Sequence, residues 1–172
     1  MGLEQRLQTT GAEVAEGVSG VSSQPSPAQK KRTYRIFMVD DNSDDITFLE
    51  HSINAYYEGH ERVVFYKATC GQDALRQLAG LPADQEIDLI FTDIDMPGMT
   101  GIEFLRELRR NAAYSRYART QAVATTGCDR NDKEKSELRA LGLMEQDIIR
   151  KQMYLEKYEA IVADVLQRYC LK

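Results

Sequence analysis

A short apolar run that closes on an acid constrains this chain more than any other stretch. Leu89, Ile90 and Phe91 follow one another with no polar alternation, which marks a strand buried on both faces. The run ends at Asp93 and breaks into a loop carrying Pro97, Gly98 and Gly101. Helical spacing through Ile102, Leu105 and Leu108 follows at once. Parallel strands buried in this way need crossover helices, so the run implies an α/β sheet. A carboxylate at the carboxyl end of a central parallel strand lies where open α/β sheets place their chemistry. Asp93 is therefore the leading candidate for a working residue.

The flanking sequence repeats the pattern. Tyr34 to Val39 reads as a strand ending on Asp40 and Asp41, and Ser43 is placed to cap the next helix. That helix carries Asp44 and Asp45 in its first turn, where the helix dipole favours negative charge. Its apolar stripe is Ile46, Leu49, Ile53 and Tyr56 or Tyr57, and Gly59 closes it. Val63 to Ala68 is a second strand. Gly71 to Leu81 is a second helix, stopped by Pro82. After the third helix, Gly101 to about Asn111, the polar and aromatic stretch 112–120 reads as a long connection. Gln121 to Thr126 is a fourth strand, and Asp132 to Leu141 a charged helix with only Leu138 and Leu141 clearly apolar. Asp147 to Arg150 is a fifth strand. A last helix from about Met153 to Tyr169 carries Leu155, Tyr158, Val162 and Leu166 at helical steps. Five strands alternating with five helices predict a doubly wound parallel α/β sheet. Residues 1–33 are rich in Gly, Ser, Gln and Pro. They hold too little apolar surface to offset the entropy of ordering, which predicts a disordered tail ahead of a domain over 34–172.

Composition narrows the function. A net charge of -5 argues against a nucleic-acid face, which needs a basic patch, and Lys30, Lys31 and Arg32 read as a solvated boundary. Cys70, Cys128 and Cys170 show neither pairing nor metal spacing and suit a reducing compartment, so a cytoplasmic protein is expected. No apolar run approaches the roughly 18 residues that a membrane span requires, and the N-terminus lacks a signal-peptide core. His51 and His60 have no neighbouring metal ligands and read as surface residues. Tyr154 and Tyr158 are divided between packing and signalling roles.

Four features fall at strand ends: Asp40 and Asp41, Asp93, Thr126 and Lys151. With all strands parallel, these converge on one rim. Three carboxylates so close raise one another's pKa unless a cation sits among them. An all-oxygen donor set suits a hard cation, and Mg²⁺ fits best because it keeps waters for an incoming phosphate. Lys151 then supplies positive charge to a transferring phosphoryl group, Thr126 a hydrogen bond, and Asp93 the nucleophile that forms an acyl phosphate.

With these residues in place, the chain from about Tyr34 onward resembles the receiver domain of two-component response regulators. The matching pieces are Val39 to Asn42, Asp88 to Gly101, Thr126 with Gly127, and Lys151, with Gly71 to Leu75 similar to the family's second helix. The resemblance implies a flavodoxin-like sheet of order 2-1-3-4-5. It also implies Asp93 as phosphoacceptor, Asp40 and Asp41 as holders of Mg²⁺, and the Asp95 backbone carbonyl completing the metal site. Thr126 becomes the switch hydroxyl, chosen over Thr125 because the small Gly127 follows it, and Lys151 the phosphate-binding lysine. The implied partners are a histidine kinase or histidine phosphotransfer protein and a downstream protein target, with no nucleic acid or membrane; a homodimer is compatible. Since the chain closes just after the last helix, a stand-alone receiver is expected. Its only chemistry would be its own phosphorylation and dephosphorylation.

Three positions depart from the family pattern. Gln152 replaces the usual proline after the lysine, and Ile148 replaces an aromatic on the signalling face. Asp95 adds a carboxylate beside the acceptor, which predicts an altered lifetime for the phosphorylated state. Asp93 and Asp95 together also resemble the nucleophile and general acid of haloacid-dehalogenase-like phosphatases. That family carries its motif on the first strand, with its acidic pair downstream rather than upstream. A degenerate receiver that binds partners without phosphorylation is the third reading.

Overall fold

The protein is described here by a computed structural model covering residues 32–57, 62–151 and 155–170. The expectations for residues 1–31, Gly59, His60, Gln152, Met153 and Tyr154 lie outside the described residues. The strands are β1 (Thr33–Val39), β2 (Arg62–Ala68), β3 (Leu89–Asp93), β4 (Gln121–Thr126) and β5 (Ile148–Arg150). The α-helices are α1 (Ser43–Tyr57), α2 (Gly71–Gly80), α3 (Gly101–Arg110), α4 (Asp132–Ala140) and α5 (Leu155–Tyr169). The strands form one sheet of order β2-β1-β3-β4-β5, and every neighbouring pair is parallel.

Side-chain alternation divides the core into two layers. Phe37, Val39, Ile90, Ala122 and Ala124 face one way, toward Leu75 and Leu78 of α2, Phe104 and Leu105 of α3, and Leu138 of α4. Ile36, Met38, Leu89, Phe91 and Val123 face the other way, toward Ile46, Leu49 and Ile53 of α1 and Val162 and Leu166 of α5. The period-2 pattern of a strand thus feeds both layers, and all five residues of β3 are buried. Removing this much apolar surface from water, at about 25 cal/mol per Å², is the main force holding the sheet between its helices.

Local chemistry sets the element ends. Asn42, rather than Ser43, caps α1: its Oδ1 accepts from the Asp44 N–H at 3.0 Å, and its carbonyl accepts from Ile46 N–H. Ser43 already lies within the first turn, where its carbonyl accepts from Thr47 Oγ1. The cap is worth about 1 kcal/mol. Asn42→Ala is expected to lower unfolding free energy by about that amount in a denaturant titration.

Of the two candidate stripe residues Tyr56 and Tyr57, Tyr57 is the buried one. β1 begins at Thr33, one residue before the sequence boundary, because Thr33 continues the ladder opposite Arg62. The stretch expected to be a long connection instead holds a 3₁₀ helix over Ala112–Tyr117. Arg109 fastens it, donating to the carbonyls of Tyr117 and Thr120 and to that of Leu141. Asp147 falls in the 3₁₀ turn before β5 rather than in the strand. There its buried carboxylate receives the Met144 N–H, Arg168 and Tyr169. These polar contacts leave no periodic trace.

Candidate functional site at the carboxyl rim of the sheet

All strands being parallel, the ends of β1, β3, β4 and β5 lie along one rim, and the loops leaving them shape the site. Asp93 is the last residue of β3 and is 3 % exposed. Its Oδ2 accepts the Asp95 N–H at 3.0 Å, which fixes the carboxylate against the first turn of the loop. That loop returns to α3 so tightly that a Cβ on Gly101 would stand 2.1 Å from the Asp93 carbonyl oxygen. The Gly101 N–H meanwhile donates to the Ile94 carbonyl at 3.0 Å. Gly98, at φ +78°, takes the left-handed conformation that the same loop requires.

Asp40, immediately after β1, is buried, and its Oδ1 accepts from Asn42 N–H at 3.0 Å. Asp41 beside it is exposed. One oxygen from each of Asp40, Asp41 and Asp93 lies within 4.8 Å of the others. Lys151 reaches the cluster from the far edge of the sheet, since its N–H continues the β4–β5 ladder by donating to the Thr126 carbonyl at 2.8 Å. Its Nζ stands 2.9 Å from Asp40 Oδ2, 3.1 Å from Asp93 Oδ1 and 2.7 Å from Asp45 Oδ2. Asp45 belongs to the first turn of α1, where it also pairs with this lysine, a partnership hidden from the sequence by their wide separation.

Electrostatics here are dominated by burial. Asp93 and Asp40 both have pKa values raised by loss of solvent, opposed by the ammonium of Lys151. Lys151 is itself desolvated, yet the hydrogen bonds to Asp45 and Asp40 and the surrounding carboxylate charge carry its pKa upward, so it stays cationic. Tyr158 of α5 lies beneath, packed against Phe48 at 5.1 Å between ring centroids. Burial, then the nearby carboxylates, push its phenol up against the pull of Lys151, so it stays neutral.

The residues present fit a hard divalent cation. The donors are all oxygens, and Asp93 Oδ1 is buried without a hydrogen bond in good geometry, although the Lys151 charge is near. An excess of carboxylates around one ammonium leaves charge for such an ion to neutralise.

Thr126, at the end of β4, is buried, and its hydroxyl is engaged with the loop that follows. It donates to the Cys128 carbonyl at 2.8 Å and accepts from Arg130 Nε at 2.9 Å. Thr125 precedes it opposite Asp93 in the ladder. Arg130 has no mark in the sequence, because a lone arginine in a polar loop carries no periodic or motif signal. Its guanidinium is nonetheless buried and forks onto both oxygens of Asp95, Nη1 to Oδ1 at 2.8 Å and Nη2 to Oδ2. Both carboxylate oxygens of Asp95 thus accept from Arg130, which is not the arrangement of a phosphatase's free proton donor. Ile148, the first residue of β5, is half-buried, packs against the α2–α3–α4 layer and lines a small cleft with Thr126, Cys128 and Arg130. Cys128 is exposed, whereas Cys170 is buried against α1. His51 is exposed on α1.

The response regulator receiver domain family matches residues 36–163. The virulence sensor protein BvgS of Bordetella bronchiseptica is 30% identical over 102 residues, covering 59% of this chain and 8% of BvgS. The two-component response regulator ARR5 of Arabidopsis thaliana is 30% identical over 105 residues, 55% of this chain and 53% of that protein. The chain therefore spans less than a tenth of BvgS and about half of ARR5. Among solved structures, the Vibrio cholerae chemotaxis protein CheY4 superposes with a TM-score of 0.61 at 25% identity, covering 80% of this chain and 99% of CheY4.

Proposed function

The chain belongs to the response regulator receiver domain family, whose members accept a phosphoryl group in two-component signalling, and we propose that Asp93 is the acceptor here. A receiver is a signalling domain rather than a conventional enzyme. The observation that carries the assignment is the buried Asp93 carboxylate 3.1 Å from the Lys151 ammonium, with Asp40 and Asp41 beside it. In this reading Asp40, Asp41, Asp93 and the Asp95 backbone carbonyl hold Mg²⁺. When bound, that ion neutralises charge between carboxylates and phosphoryl oxygens.

A phosphohistidine of a kinase or phosphotransfer protein is the donor. An Asp93 carboxylate oxygen forms a bond to phosphorus as the phosphorus–nitrogen bond to the imidazole breaks, and that nitrogen leaves with the electron pair. Lys151, held cationic by its carboxylates, is the protein's own charge for the phosphoryl oxygens. Thr126 offers its hydroxyl to the same group after leaving the Cys128 carbonyl. The side chain of Ile148, beside Thr126, is the candidate for passing that change to a downstream protein partner. No described helix is long and apolar enough to cross a membrane.

The test is direct. With Mg²⁺ and a small acyl phosphate as donor, the protein is expected to gain the mass of one phosphoryl group, and the gain disappears when a chelator removes the metal. Wild-type protein that stays unmodified under these conditions overturns the reading.

A further inference from the structure

Arg130 is a buried cation with unequal partners. Its side chain is 5% exposed, whereas that of Asp95, its bidentate partner, is 51% exposed. Glu134 stands farther off, its Oε1 3.5 Å from Nη1. The guanidinium also donates to Thr126 Oγ1, from Nε at 2.9 Å and Nη2 at 2.5 Å, and Nη2 lies 3.0 Å from Cys128 Sγ. A half-exposed carboxylate can return to water at little cost. A buried guanidinium cannot, and it needs an anion wherever it sits. The pair is therefore easy to break from the Asp95 side, provided another anion comes within reach of Arg130.

We propose that Arg130 exchanges Asp95 for the phosphoryl group once Asp93 is modified, carrying Thr126 and the foot of α4 with it. The inference rests on the assignment of Asp93 as acceptor. Asp93, Asp95, Arg130 and Thr126 form an unbroken chain of contacts, because the Asp95 N–H already bonds Asp93 Oδ2. Phosphorylation replaces the single negative charge of the Asp93 carboxylate with a phosphoryl group carrying about 1.5 to 2, and it places three acceptor oxygens beside Asp95. The new charge repels the Asp95 carboxylate and offers the guanidinium a paired set of oxygens of the kind its fork geometry favours. Thr126 accepts from Arg130, so the two side chains are linked in any such shift.

The consequence reaches α4 through its cap. Asn131, next to Arg130, caps α4: its Oδ1 accepts the Glu134 N–H at 3.0 Å, while its own N–H donates to Glu134 Oε2 at 3.2 Å. Glu134 also faces Arg130, so moving the guanidinium disturbs both members of the capping box. Arg130 is in this sense a positioning residue that transmits the chemical event to one helix terminus.

Nuclear magnetic resonance of the full chain, with phosphoryl uptake followed by mass, tests this. In wild-type protein, phosphoryl uptake from the acyl phosphate is expected to shift the Arg130 Nε–H resonance together with the amides of residues 131–135. Arg130→Met should still gain the phosphoryl mass but lose the shifts at 131–135. Asp95→Asn, which keeps the arginine but removes its bidentate anion, should displace those amides from their wild-type positions before any donor is added, and phosphoryl uptake should then carry them to the wild-type phosphorylated positions. Mass gain with an unmoved Arg130 resonance overturns this inference alone, as do 131–135 shifts that persist in Arg130→Met or unmoved amides in Asp95→Asn. Absence of mass gain in wild type overturns the acceptor assignment as well.

Discussion

Asp93→Asn is expected to abolish phosphoryl uptake while making the metal-free protein more stable. The first effect follows because a carboxamide oxygen is a poor nucleophile and cannot form the acyl phosphate. The second follows from burial. Asp93 and Asp40 have carboxyl pKa values raised in the fold by desolvation, with Lys151 opposing. A carboxyl group whose pKa rises on folding stabilises the fold while protonated, and that contribution is lost as pH climbs through the raised value. At neutral pH and without metal, the ionised Asp93 and Asp40 therefore cost stability, offset in part by Lys151, whose own raised pKa adds stability there. Removing one of the carboxylate charges should return about 1–2 kcal/mol, or roughly 2–8 °C in melting temperature. Lys151 keeps Asp40 and Asp45 as partners in the variant, so its own charge is not stranded. Added Mg²⁺ should stabilise wild type by mass action and narrow the gap. Thermal melts of both proteins, with and without Mg²⁺, provide the check. A metal-free variant that melts below wild type would contradict the electrostatic account.

Gly101→Ala has the largest expected effect on stability. The added Cβ would stand 2.1 Å from the Asp93 carbonyl oxygen and 2.9 Å from its carbonyl carbon, both backbone atoms with no rotamer to escape into. Relief requires the 94–100 loop to move off β3 or α3 to move off the sheet. Either movement breaks the Gly101 N–H to Ile94 carbonyl bond and disturbs the buried Ile102, Phe104 and Leu105. Overpacking against backbone at a buried junction should cost about 3 kcal/mol or more, lowering the melting temperature by roughly 6–12 °C. The same movement would displace Asp93, so a slower phosphoryl gain is expected in whatever fraction folds. Denaturant titration and timed mass measurements would separate the two losses. A variant with wild-type stability would show that the loop has slack absent from this structure.

Gly101 and Asp93 also mark how far the sequence could be read. The unalternating run through Leu89, Ile90 and Phe91 revealed β3, and the acid at its end revealed the rim. Ala74, Leu75 and Leu78, or Ile102, Leu105 and Leu108, disclosed their helices by helical spacing. Such patterns are legible because each apolar position reports its own burial within a few residues. Element ends were less legible. Asn42 and Ser43 are both good caps by residue type, and the choice depended on which side chain met the Asp44 N–H. The strand expected from Asp147 was shortened because that carboxylate turned inward to Met144, Arg168 and Tyr169. The resemblance to receivers supplied the strand order and the roles, which periodicity alone left open.

By itself, then, the sequence determined a parallel α/β sheet with acids at the ends of its first and third strands, a threonine after the fourth and a lysine after the fifth. Tertiary structure decided which of these groups touch. It joined Lys151 to Asp45 across most of the chain, left Asp41 exposed while burying Asp40, and drew Arg130 between Asp95 and Thr126. The physical reason is range. Apolar periodicity is a local property written within a single helix or strand. The partner of a buried charge is chosen through space, by which groups packing has brought within a few ångströms and hidden from water.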